Sequence, residues 1–68
     1  MATTTWQVQG MTCQHCVRAV TEEVSSIDGV RGVEVHLETG RVDIDSDVPI
    51  TAEALAEAVS RAGYELVP

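Results

Sequence analysis

Residues 5–20 read Thr5-Trp6-Gln7-Val8-Gln9-Gly10-Met11-Thr12-Cys13-Gln14-His15-Cys16-Val17-Arg18-Ala19-Val20, and within them the hydrophobic period changes. Before Gly10, Trp6 and Val8 alternate with Thr5, Gln7 and Gln9, which predicts a half-buried strand over residues 3–9. After Gly10 the apolar positions are Cys16, Val17, Val20, Val24 and Ile27, the spacing of an amphipathic helix over residues 14–27. Thr12 is the expected N-cap, with Cys13 the alternative. Both cysteines of the chain therefore fall where a strand hands over to a helix.

The pattern continues outward from that switch. Gly29 is expected as the left-handed residue after the helix, with Val30 folding back onto its last turn. Val33, Val35 and Leu37 alternate with Glu34, His36 and Glu38, and Val42 and Ile44 alternate with Asp43 and Asp45. A turn at residues 38–40 joins these runs into a hairpin with one aliphatic and one acidic face. Thr51 is the expected N-cap of a second helix with Glu53 in its first turn, and Ala54, Leu55, Ala58, Val59 and Ala62 form its buried stripe. Gly63 ends that helix, and residues 64–67 form a last strand with Tyr64 and Leu66 facing one way. The order is β-α-β-β-α-β. Two amphipathic helices and a sheet with one apolar face predict an α+β, ferredoxin-like sandwich. Both helices pack on one face of a four-stranded antiparallel sheet, with the first and third strands as central neighbours.

Composition narrows the function. Residues 1–68 make one small domain, and with Trp6 and Tyr64 the only aromatics the core must be aliphatic. The net charge of −7, with four arginines and no lysine, argues against nucleic acid and against insertion into an anionic membrane. An acidic chain is steered instead toward a basic partner surface. No export signal precedes the first strand, and free thiols at C-x-x-C spacing point to a reducing, cytoplasmic setting.

Cys13 on the loop and Cys16 on the first helical turn can aim at one point. A helix N-terminus stabilises anions, so thiolates form there more easily than in free cysteine. Soft thiolates select soft metals, chiefly Cu(I), with Zn(II) as competitor. Structural zinc wants four ligands, whereas two sulfurs suit a low-coordinate ion that must be handed on. A thioredoxin-type redox pair needs a larger framework, a zinc knuckle needs a second ligand pair, and a dry, inert pair sits poorly among Thr12, Gln14 and His15.

Gly10-Met11-Thr12-Cys13-x-x-Cys16 resembles the heavy-metal-associated domain family, whose pattern is G-M-T/S-C-x-x-C at the start of the first helix. Val30 and Val33 after Gly29, and Ala62-Gly63-Tyr64, extend the resemblance over nearly the whole chain, toward the family's standalone bacterial copper chaperones. The resemblance implies Cu(I) held by the sulfurs of Cys13 and Cys16, and delivery to, or regulation of, a P-type copper-transporting ATPase. It also implies that Met11 plugs the core beneath the loop rather than binding metal. His15 is a candidate for tuning the thiolates or meeting metal in a copper-bridged homodimer, against a plain exposed helix-start residue. Tyr64 either shields the site and hydrogen-bonds toward a sulfur or fills a core gap. His36 reads as a surface histidine.

The expected activity is a soluble Cu(I) metallochaperone working by thiolate exchange, not an enzyme. An excised N-terminal domain of a copper ATPase and a Zn(II) or Hg(II) resistance module are the alternatives. A start at Met1 and an end at Pro68, just after the last strand, favour the standalone carrier.

Overall fold

Strand β1 (Ala2–Gln9), helix α1 (Gln14–Ser25), strands β2 (Val30–His36) and β3 (Arg41–Ser46), helix α2 (Ala52–Arg61) and strand β4 (Glu65–Val67) follow one another in a computed structural model that describes residues 2–67. The sheet order is β2-β3-β1-β4, and every pairing is antiparallel. The first and third strands are central, as right-handed crossovers require. This is the ferredoxin-like arrangement.

One face of the sheet supplies the core. Val8 of β1 and Val42 and Ile44 of β3 are buried against Val20 and Val24 of α1 and Leu55, Ala58 and Val59 of α2. With no phenylalanine and an aliphatic centre, each of these positions carries much of the stability; Leu55→Ala or Ile44→Ala costs about 2–5 kcal/mol. The other face carries Thr5, Gln7, Glu34, His36, Asp43 and Asp45, so the hairpin is acidic on its outer side. Burial raises the Asp43 carboxyl, but the Thr5 hydroxyl, Arg41 and His36 together hold it below its usual value.

Four local expectations shift. Helix α1 ends at Ser25 with Ser26 as its C-cap, two residues before Ile27, so Gly29 lies in the following turn and not at C′. The Ser26 hydroxyl donates to the Glu23 carbonyl at 2.6 Å, satisfying an end carbonyl and stopping the helix early. Strand β2 begins at Val30, with a register shift between Val30 and Gly32 that leaves Arg31 as the extra residue of a bulge. Leu37 lies in the hairpin loop and not in the strand: the Thr39 and Gly40 amides both reach back to the His36 carbonyl, at 3.3 and 2.8 Å. The last strand starts at Glu65 and not at Tyr64.

Helix α2 follows its sequence closely. Thr51 Oγ1 accepts from the Ala54 amide at 3.1 Å, and Glu53 occupies the first turn. At its other end Gly63 has φ +97°, the Gly63 amide bonds Ser60 O at 2.9 Å, and the Tyr64 amide bonds Val59 O at 3.0 Å. This is a Schellman closure. It fixes where the chain leaves the helix, and so where Tyr64 lands.

Candidate metal centre

β1, α1 and the α2–β4 connection converge on the two cysteines. Gly10 takes φ +101° after the last residue of β1, a conformation that side chains rarely adopt. A Cβ there would stand 3.2 Å from Cδ1 of Tyr64, so the missing side chain is also the seat of the tyrosine ring. Met11 is half-buried and packs on the core cluster.

The N-cap of α1 is Cys13 and not Thr12. Its backbone is extended (φ −157°, ψ 174°), and its carbonyl accepts from the Cys16 amide at 3.0 Å and the Val17 amide at 3.3 Å. The Cys13 side chain makes no cap hydrogen bond, and the first turn holds no acidic residue. The helix start thus offers unneutralised N–H groups to an anion.

Sulfur occupies that position. Cys13 Sγ and Cys16 Sγ are 3.5 Å apart, less than two metal–sulfur bonds of about 2.3 Å end to end, so both can touch one ion. Both thiols are free; Cys13 is exposed and Cys16 is buried at 6%. The Thr12 amide donates to Cys16 Sγ at 3.4 Å, and Thr12 Oγ1 lies 3.9 Å from the same sulfur.

These contacts set the charge of the site. The Thr12 amide is the largest influence on Cys16, followed by a hydrogen bond from Tyr64; with Cys13 they outweigh burial and bring the Cys16 thiol from 9.0 down to about 6. The same hydrogen bond to Cys16 raises the Tyr64 phenol. The lowered value favours the Cys16 thiolate at neutral pH. Tyr64 is half-buried and packs on the core as well.

His15 is exposed on the first turn of α1, beside the thiols in sequence. The contribution that sequence reasoning missed is Thr12. Read as a cap for N–H groups, it supplies an N–H to sulfur instead. The signal was its place immediately before a cysteine that itself can cap.

Comparison with known proteins agrees with this geometry. The family model described as "Heavy-metal-associated domain" matches residues 5–65. The copper chaperone CopZ of Bacillus subtilis (strain 168) is 44% identical over 63 residues, which span 91% of this chain and 91% of that protein. A solved CopZ metallochaperone superposes with a TM-score of 0.88 at 33% identity, covering 97% of this chain and 100% of the other. A copper-binding domain from HMA7, a P-type ATPase, superposes with a TM-score of 0.86 at 28% identity, covering 100% of this chain and 96% of that domain.

Proposed function

The chain belongs to the heavy-metal-associated domain family, and we propose that within it this protein is a cytoplasmic Cu(I) carrier that delivers copper to a P-type copper-transporting ATPase. Cys13 and Cys16 are the ligands. The observation that carries this reading is the unequal exposure of two sulfurs 3.5 Å apart. The Thr12 amide and Tyr64 lower the Cys16 thiol toward its thiolate, while Cys13 stands at the surface.

That asymmetry suits hand-over by exchange. An acceptor thiolate bonds to the copper from the open side, and the Cys13 sulfur–copper bond breaks. A second acceptor thiolate then displaces Cys16. Copper stays Cu(I) throughout, the acceptor thiols give up their protons as they bind, and the released cysteines can take them up. Nothing is oxidised, and only protons and copper–sulfur bonds are exchanged between thiolates, so this is transport and not catalysis. Shared ligands keep each step short although the ion is held tightly.

The same exposed sulfur allows copper to bridge two copies of this chain, with His15 at the rim of the contact. An acceptor surface that suits a chain of net charge −7 is basic, or is apolar around the metal loop. Among the described residues no helix is long and apolar enough to cross a membrane.

Competition between Cu(I) and Zn(II) for the full-length protein, read with a colorimetric Cu(I) chelator, tests the assignment. Preference for Cu(I) supports it. Preference for zinc, or Cu(I) binding that survives Cys13→Ser and Cys16→Ser unchanged, overturns it. The likeness to an ATPase domain makes a segment of a copper pump the second reading, which the gene's reading frame on either side of this chain separates.

A further inference from the structure

The outer face of the sheet carries a cluster that the thiols do not use. Glu34 and Asp43 stand directly opposite each other across the β2–β3 ladder, with His36 opposite Arg41. Facing carboxylates repel in a strand pair, so positive charge is needed between them. His36 Nε2 lies 3.3 Å from Glu34 Oε1 and 3.3 Å from Asp43 Oδ2. Arg41 Nη2 lies 3.1 Å from that same nitrogen and 3.4 Å from Asp43 Oδ2. One ring nitrogen either donates its proton or accepts through its lone pair. Here it faces two acceptors and a donor, and it cannot serve both kinds.

We propose that Glu34, His36 and Asp43 form a second metal site, for a borderline divalent cation of the Zn(II) class. One ligand atom from each lies within 4.8 Å of the other two. Zinc bonds of about 2.0–2.2 Å at tetrahedral angles place neighbouring ligand atoms ~3.3–3.6 Å apart. Two of the three separations already have that value, at 3.3 Å. The ion takes the Nε2 lone pair and one oxygen from each carboxylate, with water completing its shell. That resolves the conflict at Nε2 and turns the Arg41 guanidinium, half-exposed, out to solvent.

A further contact supports the site. Thr5 Oγ1 donates to Asp43 Oδ1 at 3.1 Å, which orients the carboxylate and leaves Oδ2 toward the histidine. The nitrogen and oxygen donors are harder than a thiolate pair, so the two sites select different ions. The two sites share no ligand.

The test uses the full chain carrying Cys13→Ser and Cys16→Ser, so that its result does not depend on the copper reading. Zinc chloride is titrated while the His15 and His36 imidazole resonances are followed by NMR. His36 shifts in a saturable, one-ion transition. Glu34→Gln, a change at a largely exposed position whose fold is checked in the same spectra, weakens that transition about tenfold or more. Arg41→Ala, which removes the competing cation, tightens it. The site is refuted if His36 does not respond, if only His15 responds, or if Glu34→Gln leaves the affinity unchanged. Weaker binding in a folded Arg41→Ala variant also refutes it.

Discussion

The two helices of this protein begin in opposite ways. At α2, Thr51 Oγ1 accepts from the Ala54 amide at 3.1 Å and Glu53 faces the dipole, so the end is closed by its own side chains. At α1, Cys13 sits at the cap with no side-chain bond and no acidic residue follows in the first turn. The amide just before that cap, on Thr12, points at the Cys16 sulfur. One helix start is spent on stability. The other is left for an anion that forms only when a thiol loses its proton, or for a metal held by such anions.

The sharpest way to break this contrast is metal affinity. Cys16→Ser is expected to lower Cu(I) affinity more than ~100-fold, beyond what loss of an outer-shell partner costs, and Cys13→Ser to lower it less. Cys16 is the sulfur whose thiol is lowered to about 6, and competition with a Cu(I) chelator reads both variants. Equal losses would show that the polarised Cys16 gives no advantage.

Acidity should separate the helix starts next. The Cys16 thiol is lowered from 9.0 to about 6, so its thiolate favours the folded state. That contribution is fully present above pH 9.0 and is lost as the pH falls through about 6. Urea midpoints of the metal-free, reduced protein should therefore rise between those limits, and the rise should be smaller in Cys16→Ser. A parallel profile in the two proteins would remove the thiolate from the account.

Two smaller effects have opposite signs. Thr51→Ala removes a working cap and should destabilise the protein by about 1 kcal/mol in urea denaturation. Cys13→Ser puts a good capping residue where none acts now, and should stabilise the metal-free protein by ~0.5 kcal/mol while weakening copper binding. A destabilised Cys13→Ser protein would mean that the α1 start is already satisfied by its surroundings.

Much of the architecture is legible because burial in a small domain is periodic. Val8, Val42 and Ile44 mark one sheet face, and Val20, Val24, Leu55, Ala58 and Val59 mark two helix faces. The Thr51 cap and the Gly63 closure depend on neighbours within a few residues, so they too can be read along the chain. Boundaries set by competing local bonds are less legible. The hydroxyl of Ser26 ends α1 before its apolar stripe runs out, and the bonds back to His36 O fold Leu37 into the loop.

By itself, then, the sequence determined the order of the elements, the face each one buries and the pair of sulfurs at a helix start. It set Cys16 on the apolar stripe of the first helix and Cys13 on the loop, and the structure buries Cys16 and exposes Cys13. Which groups act on the Cys16 sulfur was decided by tertiary docking, since Tyr64 comes from the far end of the chain. The Glu34–His36–Asp43 cluster likewise depends on strand register, since a slip of one residue would move one strand's members to the other face. Periodicity records which side of an element faces the core. It does not record which partner waits there, because that is fixed only when distant strands and loops dock.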